Sequence, residues 1–380
     1  MGLYTILLGN TDPGTHGCVG LLGASGALAQ IDYPHRNIRD VYSSESYSKK
    51  LLPIIRAASV KEQLKGSVFG LFGGRSIGID TGLFDPMQWR AQFGIDTEHL
   101  AQIEIVRLAE QMSQERIDNS RVWMEANALA IDYNDDKFTK AKFDFQIACY
   151  LATKDLVKEY GMDFIAIKCM HELSNSYIPQ CMTQALLANH EDAEGVKETT
   201  PIACEADADG ALTQQILRIL SGGMPTFFAD VSHIDEEREM VYCVNCGAIC
   251  VYYAGRNQDT KENFKNIRFK QSVRPAGGGI TYFNASEGPM QLARLYRKGG
   301  KYKMAIISCN AENPTQEMVD EFVAAWGPHQ LPTLFAKVHF DLDRFINEYG
   351  SNHISGVAGN YLTELLEVCD LLEIEAEVFA

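Results

Sequence analysis

The pattern of the chain changes near Ser221, and that change restricts the folds open to it. Before it, short apolar runs alternate with glycine-containing loops and long helical stretches. Tyr4-Thr-Ile-Leu-Leu8 is β-like and is closed by Gly9-Asn10 and Asp12-Pro13-Gly14, all turn formers. Val19 to Ile31, rich in Ala and Leu, reads as a helix. Val68-Phe-Gly-Leu-Phe72 is a second strand, followed by Gly73-Gly-Arg-Ser-Ile-Gly78. A long helical region is expected from Thr97 to Asn127, an amphipathic helix over Phe138–Tyr160, a strand over Asp163–Lys168 and a polar loop from Asn189 to Thr200. Beyond Ser221 the runs are short and β-like, at Met240–Cys246, Cys250–Tyr253, Gly279–Phe283, Lys303–Ser308 and Leu334–His339, with glycine-rich turns between them. A helix over Tyr361–Leu372 closes the chain. Strand, glycine loop and helix are the phrase of a Rossmann-like α/β part, and the region beyond Ser221 reads as a mostly antiparallel β domain.

Size and charge narrow the function. The 380 residues suggest about two to three domains. Thirty-four Lys+Arg against fifty Asp+Glu give a net charge of −16, which argues against nucleic acid or an anionic membrane surface as partner. An anionic small substrate is not excluded, because it needs only one or two basic groups. No apolar run approaches the roughly 20 residues that cross a bilayer. Met1-Gly-Leu-Tyr-Thr-Ile6 lacks the pattern of a secretory signal, and Ile6 stands where myristoylation wants Ser or Thr. Ten cysteines, several inside apolar stretches (Cys149, Cys169, Cys309), read as buried free thiols in a reducing cytoplasm.

Four features could carry chemistry. Gly20-Leu-Leu-Gly-Ala-Ser-Gly26 and Gly73–Gly78 resemble dinucleotide loops. The first lies within a helix and the second lacks the acidic residue at a following strand end, so tight turns and close packing account for both. A nicotinamide-dependent oxidoreductase therefore rests on those turns alone. Cys243-Val-Asn-Cys-Gly-Ala-Ile-Cys250 has metal-like spacing but no second ligand pair. Lys265, Arg268, Lys270 and Arg274 form a basic segment, ordinarily solvated, that in so acidic a chain could attract an anionic substituent. The fourth feature is Pro201-Ile-Ala-Cys-Glu-Ala-Asp-Ala-Asp-Gly210, followed by Phe227-Phe-Ala-Asp-Val231. Both place a carboxylate, Glu205 and Asp230, at the end of a strand-like run, where α/β proteins gather ligand groups. Two such carboxylates could hold a hard divalent cation; Asp207 or Asp209 could instead cap the helix Ala211–Leu220. Ser351-Asn-His353 could add a nitrogen ligand, though nothing in its spacing demands it.

At these residues the chain resembles the L-fucose isomerase family. The matching segments are Phe72–Gly78, Asp85-Pro-Met-Gln-Trp89 with Phe93-Gly-Ile-Asp96, Ile167-Lys-Cys, Ala203-Cys-Glu-Ala-Asp207, Phe228-Ala-Asp-Val231 and Gly350-Ser-Asn-His353, in family order. The resemblance implies a homo-oligomeric, hexameric cytoplasmic enzyme with a barrel-like C-terminal domain. It divides the chain into a reduced first α/β domain (1–66), a second α/β domain (67–220) and a β-rich domain (221–380). It also implies a catalytic Mn²⁺, or Mg²⁺ in its place, held by Glu205, Asp230 and His353, with the two carboxylates as acid–base pair. The reaction would be aldose–ketose isomerisation through an ene-diolate. Asn245, Cys246 and Asn352 align with residues near the sugar. Cys246 replaces a family serine, so L-fucose itself is not assured as substrate, and a pentose, a 6-deoxyhexose or a sugar with an anionic C6 group, such as a sulfonated hexose, all remain open. The rival from another class is a catalytically inactive sugar-binding or assembly protein of the same fold.

Overall fold

The structure, a computed structural model, describes residues 5–42, 44–326 and 331–379. Tyr4, where the first strand was expected to begin, lies outside them. Thr5–Asn10 and His35–Asp40 pair in parallel across the helix Gly17–Gln30. Next comes a four-stranded parallel sheet in the order Asp96–Leu100, Val68–Phe72, Phe164–Ile167 and Ile202–Cys204. Its central strands are apolar on both faces (Phe69, Leu71, Phe72, Phe164 to Ile167), as a covered parallel sheet requires.

The expected helix from Thr97 begins instead as the edge strand Asp96–Leu100 and then divides into Ile103–Ala109 and Gln114–Asn127. Hydrogen bonding to Val68–Phe72 decides the first part. Tertiary pairing overrides local propensity there.

Six antiparallel strands then close on themselves. Around the barrel they run Gly288–Lys298, His353–Ala358, Thr226–Asp235, Met240–Val244, Thr333–Lys337 and Lys301–Ala311, which pairs back with Gly288–Lys298. Closure removes the exposed edges that an open sheet of this length would present. Glu375–Phe379 adds in parallel outside Lys301–Ala311. Side chains alternate as period two demands. Leu292, Ala305 and Ile307 join one core cluster, while Ala293, Met304 and Ile306 join another.

Two of the expected β-runs lie elsewhere. Gly279–Tyr282 pairs with Arg268–Gln271 in a separate small sheet, and residues Val251–Ala254 form a 3₁₀ turn. Tyr252 and Tyr253 are buried in that turn against neighbouring aromatic rings, and burial there does not require a strand.

Between parallel sheet and barrel lies the helix Ala208–Leu220, buried from Ala208 through Leu217. It packs on Phe164–Ile167 and Ile202–Cys204 on one side and on three barrel strands on the other. Ala208, Gly210 and Ala211 keep its first turn narrow enough for both neighbours. No helix of the described residues is long and apolar enough to cross a membrane.

Candidate functional site

The chain reverses sharply just after Ile202–Cys204. Glu205 and Ala206 both have positive φ, 59° and 58°, which non-glycine residues adopt rarely and at a cost of about 1–2 kcal/mol each. The turn is held by Ala206 N–H donating to the Ile167 carbonyl and Asp207 N–H to that of Cys204. It swings the Glu205 side chain toward the barrel. Strain of this kind persists where surrounding structure fixes it, and it concentrates at functional sites.

On the barrel, Asp230 and His353 are direct cross-strand partners, with Phe228 and Ser355 the next residues on the same face. The sequence placed Asp230 at a strand end. It lies instead within Thr226–Asp235, where the register shifts between Val231 and His233. Such bulges re-aim side chains. Glu205 and Asp230 therefore come from different sheets rather than from neighbouring strand ends.

The three side chains converge. Ligand atoms of Glu205, Asp230 and His353 all lie within 4.8 Å of one another. His353 Nε2 is 2.9 Å from Glu205 Oε2 and 3.3 Å from Asp230 Oδ1. The imidazole is fully buried and tilted against Phe228, whereas the Asp230 side chain keeps 39% exposure, so the cluster opens to solvent on its carboxylate side.

Asp207 fixes the histidine from behind. Its Oδ1 accepts the Gly210 N–H and caps Ala208–Leu220; its Oδ2 meets His353 Nδ1 at 2.7 Å and Arg294 at 2.5 Å. Burial works against the Asp207 carboxylate, but Arg294 and His353 outweigh it and hold the carboxyl well below its usual range. Burial likewise opposes charge on His353, yet hydrogen bonds to Asp207, Asp230 and Glu205 raise its pKa well above the ordinary value. An imidazole ringed by three carboxylates, Asp207 at Nδ1 and Glu205 and Asp230 at Nε2, marks a place built for positive charge. Sequence reasoning gave Asp207 only its capping role and missed Arg294. The signal for Arg294 was a lone charge inside the apolar run Leu292-Ala-Arg-Leu-Tyr296.

The expected sugar contacts divide. Asn245 is buried and donates to Asp230 Oδ2 at 3.4 Å, leaving its own Oδ1 without a hydrogen-bond partner. Cys246 is half-buried, 3.6 Å from the Cys181 sulfur and interacting with Cys204 and Arg274. Asn352 stands exposed at the rim, where Thr81 donates to it. Cys243 and Cys250 point into the hydrophobic core, so the three cysteines of that stretch do not share a site.

The donor set suits a divalent cation. Two carboxylates and an imidazole, with no thiolate among them, match hard oxygen-preferring metals, and an acid that orients the ligating histidine is the usual second partner of such sites. The Asp207 hydrogen bond leaves His353 Nε2 to face the carboxylates.

The family model and the relatives that match the chain indicate a sugar isomerase of the aldose–ketose type, an intramolecular oxidoreductase. Residues 243–379 match the family described as L-fucose isomerase, C-terminal domain. A sulfoquinovose isomerase of Priestia aryabhattai is 23% identical over 346 residues, covering 86% of this chain and 72% of the relative. Sulfoquinovose isomerases of Clostridium sp. (strain MSTE9) and Alkalicoccus urumqiensis are each 22% identical, covering 88% and 86% of this chain and 70% and 72% of theirs. Over most of its length the chain is thus similar to proteins of the fucose isomerase-like family.

Proposed function

We propose that the chain is a Mn²⁺-dependent ketol isomerase of a fucose- or arabinose-like or modified sugar, with Glu205, Asp230 and His353 as the metal ligands. The observation that carries this is the convergence of two carboxylates and one pre-oriented imidazole, open on one side. Among the modified sugars, the names of the relatives favour a sulfonated hexose. Mg²⁺ would fit the same donors.

The reaction moves a proton between C1 and C2 while O1 and O2 exchange carbonyl and hydroxyl character. A divalent cation held by Glu205, Asp230 and His353 would supply charge stabilisation to the ene-diolate. Glu205 and Asp230 face the open side of the cluster and are assigned as the base and acid that carry the proton. His353, buried and held by Asp207, orients and does not transfer protons. Asn245 steadies Asp230, and Cys246 and Asn352 are assigned to the sugar.

Glu205→Gln is expected to lower turnover by about 10²-fold or more, the ordinary worth of a positioned acid–base group, with the circular dichroism spectrum unchanged. Chelation should silence the wild-type enzyme and Mn²⁺ restore it. Full activity in metal-free protein would rule the scheme out.

A further inference from the structure

Several cations among the described residues have carboxylate or aromatic partners. Arg75 pairs with Asp80, Lys168 with Glu172, Arg294 with Asp207 and Arg297 with Asp209. Within the basic segment, Lys265 pairs with Glu262, Arg268 with Asp132, and Lys270 lies 4.2 Å from the centre of the Tyr282 ring. Arg274 has no carboxylate within ion-pair distance among the described residues. It is half-buried and faces thiols instead, Cys246 first and then Cys181 and Cys204.

Its position is built rather than incidental. Arg274 N–H donates to Ser272 Oγ, Gly277 N–H to the Arg274 carbonyl, Ser272 N–H to Gly278 and Ala276 N–H to Ser174. Pro275 stiffens the turn further. The thiols it faces adjoin the acidic cluster: Cys204 immediately precedes Glu205, and Cys246 follows Asn245, whose amide holds Asp230. The Asn245–Gly247 loop is locked to Gly279–Tyr282, since Thr281 donates to the Gly247 carbonyl. A side chain on Gly247 would meet Ile280 at 2.7 Å. Arg274 thus faces thiols whose chain neighbours are Glu205 and Asn245.

The acidic cluster on its own repels an anion, and a negatively charged sugar needs a cation at its other end. A guanidinium offers a planar fork of donors to a sulfonate or phosphate. We propose that Arg274 is the specificity-determining residue that pairs with an anionic group on the sugar, at the end remote from C1 and C2. This rests on the isomerase reading above and identifies the side chain that selects a sulfonated substrate over a neutral one.

The test compares Mn²⁺-loaded wild type, Arg274→Met, Arg274→Lys and Lys265→Gln on 6-sulfonated glucose and on 6-deoxyglucose. It measures kcat/KM for each sugar, and binding of the sulfonated sugar by calorimetry. In Arg274→Met the anionic-to-neutral ratio of kcat/KM should fall roughly 10- to 100-fold, the worth of a hydrogen-bonded charge pair, with a parallel loss of sulfonated-sugar affinity. Arg274→Lys should fall less, and it supplies the reading if the methionine variant does not fold. Lys265→Gln should keep the wild-type ratio. An unchanged ratio would assign the guanidinium to the Cys246 thiol alone and overturn the proposal, as would equal loss on both sugars; either result leaves the isomerase standing. A wild-type enzyme that converts no sugar overturns both.

Discussion

Asp207 and Asp209 stand two residues apart on the same helical turn, both fully buried, and their environments drive them in opposite directions. Asp207 shares its charge with Arg294, His353 and the Gly210 N–H. Asp209 accepts one hydrogen bond from Tyr302, itself held by Trp89 Nε1, and its Oδ2 has no hydrogen-bond partner, Arg297 Nε standing 3.5 Å away. Burial outweighs the fields of Arg294 and Arg297 and pushes the Asp209 carboxyl up to about 7. The folded protein therefore retains a proton that the unfolded chain, with an ordinary carboxyl near 4, gives up. Between those two values the unfolded state binds fewer protons, so this group favours folding at acid pH and its contribution is lost as pH rises to about 7. Denaturation midpoints at pH 4.5 and 7.5 provide the check. Asp209→Asn should lose less stability over that rise than the wild type does; equal losses would overturn the raised Asp209 carboxyl as the source of this pH dependence.

At the scale of elements, the site depends on how closely the first turn of Ala208–Leu220 approaches the barrel. A Cβ built on Gly210 would lie 2.6 Å from Phe228, 2.7 Å from Arg294 and 2.9 Å from Asp207 Oδ2. The same residue donates its N–H to Asp207 and receives the Ser355 hydroxyl on its carbonyl. Gly210→Ala should therefore cost about 1–3 kcal/mol of stability by overpacking, and weaken Mn²⁺ binding through displacement of Asp207. Chemical denaturation and metal calorimetry would register the two effects separately. Alanine tolerated on both counts would show that the helix can move away from the barrel. How legible these elements were in the sequence depends on their chemistry. Strands buried on both faces, such as Val68–Phe72 and Phe164–Ile167, showed as apolar runs. The 11-residue strand Gly288–Lys298 escaped notice because Arg294, Arg297 and Lys298 interrupt its apolar pattern. Local pattern could not show that Arg294 is neutralised by Asp207, 87 residues earlier in the chain. Glu205, Asp230 and His353 were found through motifs that stand in order along the chain. Their shared point in space comes from strand register and a strained turn, which no spacing rule encodes.

Across the whole molecule, the candidate metal ligands tie two architectures together. Glu205 follows the last strand of the parallel sheet, while Asp230 and His353 belong to the closed barrel. In the structure the carboxylates face His353, and Asn245 donates to Asp230. A cation binding at this junction competes with the His353 proton and is held in the folded state alone, because the ligands lie far apart along the unfolded chain. Mass action then stabilises the fold by about 2.7 kcal/mol when free metal reaches 100 times its dissociation constant. Scanning calorimetry should show Tm rising with Mn²⁺ concentration in the wild type, and rising more at pH 8 than at pH 6, because the metal must displace the proton on His353. Glu205→Gln keeps the shape of the ligand but removes its charge, so most of the Mn²⁺-dependent rise should disappear in that variant. Should Glu205→Gln show the full wild-type shift, the cation would have to be bound elsewhere and the assignment of these three ligands would fall. The shift is read from stability alone, so it tests the ligands independently of which sugar the enzyme converts.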